Sequence, residues 1–241
     1  MTKTLRLLLA TATLATAALG FGAARAIACG NSTGYSYAGI GAPTHAYGIS
    51  ALISPLDAFD ILRGHVAGWV GVGGPGQGPN GTNEWIQVGY AGFPSITGSD
   101  IYYEVAQPGR FPTYHQVSGG LGVGTLTKVT VLEMRGRANW WRVWVNHKPA
   151  SPPIHLPASH GAWSPIATAE SWDGGTGGTC NTFLYRFRHV MVAHAPGGGW
   201  HPLIGGYPIQ SAAARIRRSH GSSGFFAAEG RPAFQLLSAT S

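Results

Sequence analysis

Apolar and polar residues alternate in short stretches along the chain, and clusters of Gly, Pro and Asn separate these stretches. Alternation with a period of two is typical of strands, because successive side chains of a strand point to opposite faces. The pattern predicts strands at His65–Val72, Glu84–Tyr90, Asp100–Ala106, Lys128–Met134, Trp140–Asn146, His155–Leu156, Ile166–Glu170 and Thr182–Ala193. Many short strands without a strong helical pattern predict an all-β fold, an antiparallel β-sandwich of two sheets.

The same alternation assigns the side chains of each strand to two different faces. One face is apolar, as Val66, Val70 and Val72 show in the first strand. The other face carries polar and aromatic groups, namely Trp69 in the first strand, Trp85 and Gln87 in the second, Tyr102 and Glu104 in the third, and Trp140, Arg142, Trp144 and Asn146 in a later one. The core does not need these groups, and exposed aromatic residues mark binding surfaces, so we interpret the second face as a binding surface.

Residues 1–28 are typical of a secretory signal peptide. Lys3 and Arg6 precede an apolar run, and Ala26-Ile27-Ala28 fits the pattern of a cleavage site. An uncleaved membrane anchor and a lipoprotein acylated at Cys29 are the alternatives. No later stretch reaches 18 apolar residues, so we expect a secreted, extracellular protein that has no membrane contact after cleavage.

The composition divides the rest of the chain into three parts. We expect the β-sandwich domain to span residues 64–207. Residues 29–63 are expected to form an extended N-terminal arm with short strands and a helical turn at Asp57–Arg63. Residues 208–241 are rich in Gly, Ala, Ser and Arg, and we expect a flexible basic tail there.

The overall composition indicates a folded chain. Its 241 residues include 37 Gly and 16 Pro, yet 44% are hydrophobic and only 10% are charged. A disordered chain has fewer aromatic residues and more charge, and the glycines lack the period of three that collagen requires.

The charge balance is mildly basic. Loss of Lys3, Arg6 and Arg25 with the signal peptide lowers the net charge from +7 to +4, and the excess lies largely at Arg215, Arg217, Arg218 and Arg231. A tail that binds nucleic acid or the cell envelope is one interpretation of this cluster. We expect instead a solvated end and no nucleic-acid partner.

The two cysteines, Cys29 and Cys180, are expected to form one disulfide, because a secreted protein matures in an oxidising compartment. Two free thiols are the alternative.

The ten histidines show no metal-binding spacing. His155 and His160 are five residues apart, as are His189 and His194, and an odd separation on a strand points side chains to opposite faces. We therefore expect no metal and no cofactor.

Four segments, taken in order, resemble the glutamic peptidases of the eqolisin family. They are Gly68-Trp69-Val70-Gly71-Val72-Gly73, Trp85-Ile86-Gln87-Val88-Gly89, Tyr102-Tyr103-Glu104-Val105 and Thr168-Ala169-Glu170. They are similar to that family's A-W-V-G-I-D-G, L-Q-T-G, W-Y-E-W and A-E-W strands. The resemblance covers roughly residues 64–194.

The resemblance implies a sandwich of two curved sheets, like that of concanavalin A, with a catalytic Gln and Glu on the concave face. Carried over, these are Gln87 and Glu170, while Trp69 and Glu104 match residues that line the cleft. The alternation places Tyr102 and Trp85 on the same face, and we expect them to contact substrate. The expected function is endopeptidase activity on a protein or peptide, carried out by a monomer.

Three positions depart from the family pattern. Gly73 stands where the family has Asp, Val105 replaces the second Trp of W-Y-E-W, and Ser171 replaces the Trp after the catalytic Glu.

Two other functions are alternatives. A lectin-like sandwich without catalytic activity could stack sugar rings on Trp69, Trp85, Trp140 and Trp144. A glycoside hydrolase could instead use two carboxylates, Glu104 and Glu170.

Overall fold

The structure, a computed structural model, describes residue 29, residues 31–219 and residues 221–230. The strands are β1 Tyr35–Gly41, β2 Gly48–Pro55, β3 His65–Gly74, β4 Glu84–Gly92, β5 Ser99–Ala106, β6 Thr113–Leu121, β7 Thr127–Glu133, β8 Trp140–Val145, β9 Lys148–Pro149, β10 Ile154–His155, β11 Ile166–Trp172, β12 Phe183–Ala195, β13 Gly198–Pro202, β14 Tyr207–Gln210, β15 Ala214–Arg218 and β16 Phe225–Glu229. A short 3₁₀ helix spans Pro79–Gly81. The predicted all-β class is confirmed.

The strands form two antiparallel sheets. The seven-stranded sheet has the order β14-β1-β11-β3-β4-β5-β6. The nine-stranded sheet has the order β10-β8-β7-β2-β12-β16-β15, with β13 paired to β12 and β9 paired to β8. The predicted two-sheet sandwich is therefore confirmed.

The core lies between the sheets and consists of the side chains that the alternation assigned to the apolar faces. Val66, Val70 and Val72 are at most 1% exposed, and Trp141 of the other sheet is fully buried. Side chains that interdigitate in such a close-packed core hold the two sheets in one relative position.

The segment 29–63 is an integral part of the sandwich, so its assignment to a separate arm was wrong. Strand β1 lies between β14 and β11, and β2 lies between β7 and β12. Ile40, Ile49 and Ile53 of these strands belong to the core. The helical turn expected at Asp57–Arg63 is also wrong, because that segment has bends and a single bridge between Asp60 and Thr182.

The segment from residue 208 to residue 230 is likewise not a flexible tail. Strand β14 pairs with β1, and β16 pairs with both β12 and β15. Phe225 is fully buried and stacks on Phe187 with ring centroids 4.5 Å apart. Ala214 and Ala227 also belong to the core, and Ile216 packs against it, so β15 and β16 extend the existing sheet with a small apolar face. The expected signal peptide and residues 231–241 lie outside the described residues.

The sequence pattern did not predict β6, nor the short strands β9 and β13. Strand β6 is the edge of the seven-stranded sheet, and most of its residues are exposed. An edge strand of this kind needs no apolar face, and its sequence therefore lacks the alternation that identifies the others.

The predicted disulfide is present. Cys29 and Cys180 are bonded, with Cα atoms 5.0 Å apart and a sequence separation of 151. The bond attaches the beginning of the sandwich to the loop that precedes β12.

Among the described residues there is no helix long and apolar enough to cross a membrane.

Candidate functional site

All six residues predicted for catalysis and substrate binding point outward from the seven-stranded sheet. We call this surface the carboxylate face and define it by Trp69, Trp85, Gln87, Tyr102, Glu104 and Glu170. The strand register places Trp69 next to Thr168 on one side and Gly89 on the other, with Tyr102 one strand further. Gln87 and Glu104 are direct neighbours in the next row.

Strand β3 lies between Gln87 and Glu170, and it presents two small residues and Trp69 on this face. Gly71 is paired to Gln87 and Ala67 is paired to Glu170, and both lie on β3 between the two. A Cβ atom at Gly71 would lie 2.8 Å from the Cβ of Gln87. A larger residue there would displace the Gln87 side chain, so the glycine serves close packing rather than a turn.

The amide of Gln87 has a defined orientation. Its Nε2 donates a hydrogen bond of 2.9 Å to the Tyr102 hydroxyl, and only 8% of Gln87 is exposed. Burial, with the charges of Glu170 and Glu104, holds the pKa of Tyr102 well above its usual range. The phenol therefore remains protonated, and the amide keeps one N–H free for a second partner.

Glu104 lies beside Gln87 and is held by an indole. Trp85 donates from Nε1 to Oε1 of Glu104 at 2.9 Å. Burial raises the pKa of Glu104; the Trp85 hydrogen bond and His65 lower it, while the charge of Glu170 raises it further. The charge of Glu170 thus acts on the carboxyl group of Glu104 across the face.

Glu170 has a neighbour, His65, to which the sequence analysis gave no role. Its Oε1 is 3.4 Å from Nε2 of His65, and only 7% of Glu170 is exposed. The imidazole packs among the rings of Tyr35, Phe93 and Trp172, with centroids 6.4, 6.0 and 5.7 Å away. His65 lies two positions from Ala67, the register partner of Glu170, so the two side chains share one face of the adjacent strands β3 and β11.

Two tyrosines from the segment expected to be an arm complete this side of the site. Tyr37 is paired to Glu170 in the register, and the rings of Tyr35 and Tyr37 stack at 5.9 Å. Burial, followed by the charges of Glu170 and Glu104, raises the pKa of Tyr35 to about 12. Both phenols were missed because their strand had been assigned outside the sandwich.

The departures from the family pattern leave the carboxylate face largely unchanged. Val105 belongs to the core, and Ser171 is buried and accepts a hydrogen bond from Asn181. Gly73 has a φ of +82°, and a Cβ atom there would lie 2.3 Å from the Glu84 carbonyl oxygen. Asp at this position would require a different backbone.

The four tryptophans of the lectin-like alternative do not share one surface. Trp69 and Trp85 lie on the carboxylate face, whereas Trp140 and Trp144 belong to β8 of the other sheet.

Within the described residues, no group of three or more His, Cys, Asp or Glu could hold a metal ion.

The chain matches no protein-family model and no curated protein. It is similar in structure to scytalido-glutamic peptidase solved with a peptide-based transition-state analogue, at 11% identity and a TM-score of 0.53, covering 82% of this chain and 98% of that one. It is also similar to SCP-B, a member of the eqolisin family solved with the tripeptide Ala-Ile-His, at 11% identity, a TM-score of 0.50 and the same coverage. The alginate lyase Aly36B aligns less well, at 14% identity and a TM-score of 0.37, over 82% of this chain and 76% of that one. The likeness to the two peptidases shows that this chain has their β-sandwich fold.

Proposed function

We propose that the protein hydrolyses peptide bonds on the carboxylate face, with Glu170 activating water and Gln87 stabilising the oxyanion. The observation that carries the proposal is the placement of Gln87, Glu104 and Glu170 on one outer face of a fold that covers 98% of scytalido-glutamic peptidase. We further propose that the protein is secreted, acts as a monomer on proteins or peptides, and needs no cofactor.

Glu170 would act as the general base and then as the general acid. With Oε1 beside His65, Oε2 is the oxygen that takes a proton from water while the water oxygen attacks the peptide carbonyl carbon. Glu170 then returns this proton to the amide nitrogen as the C–N bond breaks, which releases a carboxylic acid and an amine.

Gln87 would supply the donor for the developing negative charge. One N–H is bound to Tyr102, so the other can donate to the carbonyl oxygen of the tetrahedral intermediate. A donor of this kind contributes about 3–4 kcal/mol to transition-state stabilisation. A neutral amide suits this task because it adds no charge beside Glu170.

The test is hydrolysis of a denatured protein by the disulfide-bonded protein from pH 2 to pH 7, with peptide products identified by mass spectrometry. Glu170→Gln should reduce the rate by about 10³-fold or more, since the isosteric amide cannot accept the proton from water. Tyr114→Phe is the matched control, because Tyr114 stacks on Tyr102 on the same face but contacts neither member of the dyad directly. Full activity of Glu170→Gln, or no hydrolysis by the unaltered protein, would contradict the proposal.

Glycoside hydrolysis is the second candidate, favoured by the influence of Glu170 on the pKa of Glu104. Their strands β5 and β11 are separated by β4 and β3, which puts the two strands about 14 Å apart at normal strand spacing. Glycosidase carboxyl groups lie about 5–9.5 Å apart, so both side chains would have to lean inward. Gln87 is one strand nearer to Glu170, and this favours the peptidase. A glycosidase should lose its activity in Glu104→Gln and tolerate Gln87→Ala.

A further inference from the structure

The outer face of the nine-stranded sheet carries several cationic side chains. Its outward-facing cations are Lys128, Arg142, Arg186, Arg188, Arg215 and Arg217. No Asp or Glu points outward from the described strands of this sheet, since Glu133 and Glu229 are fully buried on the side that faces the core. We call this surface the basic face and define it by these six residues.

The register arranges four of these cations in two adjacent rows. Arg217 and Arg186 lie on either side of Phe226 in one row. Arg188 and Lys128 lie on either side of Leu52 in the next row. At normal strand spacing the two members of a row are about 10 Å apart, and the rows are about 7 Å apart. The cations therefore form a band that crosses the sheet rather than a single cluster.

The band ends at a hollow with two indole walls. A cavity of about 390 Å³ is lined by Ser50, Lys128, Thr130, Leu132, Trp144, His147, Met191 and Trp200. Indole rings offer flat apolar surfaces for the C–H faces of sugar rings, and each indole also has an N–H donor. Lys128 belongs both to the band and to the hollow, so one extended ligand could contact both.

We propose that the basic face binds an acidic polysaccharide, with sugar rings against Trp144 and Trp200 and the acidic groups along the cation band. Charge complementarity identifies the ligand as a polyanion. Proteins that bind single-stranded nucleic acids place aromatic rings along the cationic track, whereas here the half-buried indoles of Trp144 and Trp200 line the hollow at one end of the band. The single ring within the band, Phe226, is covered by the Arg217 guanidinium at 5.0 Å.

This inference does not depend on peptide hydrolysis, because the basic face and the carboxylate face belong to different sheets of the sandwich. A polymer bound to one outer face leaves the other accessible. The consequence is that the protein is held at a surface or matrix rich in acidic sugars while the carboxylate face remains exposed to other molecules.

The probe is polygalacturonate, with neutral dextran, single-stranded DNA and vesicles of anionic phospholipid measured in parallel at 50 mM and 300 mM NaCl. We expect polygalacturonate to bind most tightly and to weaken at the higher salt concentration, because screening acts on exposed charges. The combined variant Lys128→Gln, Arg186→Gln and Arg188→Gln should weaken binding at least tenfold. Trp200→Ala should weaken it at least fivefold at both salt concentrations.

The matched control removes the same charge elsewhere. Arg63, Arg110 and Arg135 are exposed and lie in turns and bends, and their replacement by Gln should change the affinity less than twofold. An equal loss of affinity in this control would show that binding depends only on the net charge of the protein, and it would overturn the inference. Absence of polygalacturonate binding would overturn it too, as would tighter binding of DNA or vesicles. If the combined variant does not fold, Arg188→Gln alone, at an exposed position, should weaken binding at least twofold, and an unchanged affinity would overturn the inference.

Discussion

The two outer faces of the sandwich are built by the same alternation and have opposite chemistry. On the carboxylate face Gln87 and Glu170 are less than 9% exposed, and both contact other side chains of that face. On the basic face Arg188 and Arg215 are exposed, and no described strand of the nine-stranded sheet turns an acid outward. The net charge of +7 for the whole chain therefore conceals a separation of charge between two surfaces.

The difference follows from what each side chain can do at a sheet surface. A long Arg or Lys side chain covers neighbouring apolar surface with its stem and keeps its charge in water. A Glu side chain is shorter, so packing aromatic rings around it removes water and raises the cost of its charge. The carboxylate face is therefore sensitive to the protonation state of its acids, whereas the basic face keeps its charge over a wide pH range.

The largest expected effect is a difference in the free energy of unfolding between substitutions on the inner and the outer side of β16. Phe225 is fully buried against Phe187, whereas its neighbour Phe226 points outward beneath Arg217. Phe225→Ala should lower the free energy of unfolding by about 3–5 kcal/mol, because it leaves a cavity in the core. Phe226→Ala should cost about 1 kcal/mol or less. Urea unfolding of both variants measures the difference, and equal losses would contradict the assignment of the two sides.

A smaller effect concerns an acid that faces the core from the nine-stranded sheet. Burial, with a contribution from the charge of Asp173, raises the pKa of Glu229 to about 8. An unfolded chain has a Glu pKa of about 4.3. Between these values the folded protein holds a proton that the unfolded chain releases, so the free energy of unfolding should fall as pH rises, by at most about 1.4 kcal/mol per pH unit.

Glu229→Gln removes this titration and should make stability less dependent on pH between pH 5 and pH 8. Thermal melts at several pH values measure the slope for the variant and the unaltered protein. Burial also raises the pKa of Glu84 to about 7, so part of the slope should remain in the variant. An unchanged slope would show that Glu229 is already ionised in the folded protein.

The smallest expected effect concerns the residue that holds Glu170. His65→Phe keeps a ring among Tyr35, Phe93 and Trp172 but removes the contact between Nε2 and Glu170. We expect kcat for peptide hydrolysis to fall about tenfold with little change in KM, because misorientation of a catalytic group acts on the chemical step. His65→Gln, which retains a donor, should recover part of the loss.

Arg188→Gln on the basic face is the comparison for His65 and should leave kcat unchanged. A loss in both variants would show that the two faces are coupled. Equal activity of His65→Phe and the unaltered protein would show that the imidazole does not position Glu170.

The prediction of the fold succeeded where the alternation was strong. The strands around Trp69, Gln87 and Glu104 were found within about two residues of their bounds in the structure. The segments 29–63 and 208–230 were misassigned because nothing local in their sequence shows that their strands pair with the two sheets of the sandwich. Such strands are stabilised by the sheets that they join, and this contribution is not visible in the local sequence.

The sequence by itself determined the fold class, the disulfide partners and the side of each central strand on which polar and aromatic groups lie, because these depend on a period of two and on the number of cysteines. Only the tertiary structure decided which strands are neighbours. It placed His65 beside Glu170, Tyr102 beside Gln87 and the cations of β7, β12 and β15 in one band. The physical reason is that sheet order and register arise from the packing of the whole core, which joins residues more than a hundred positions apart.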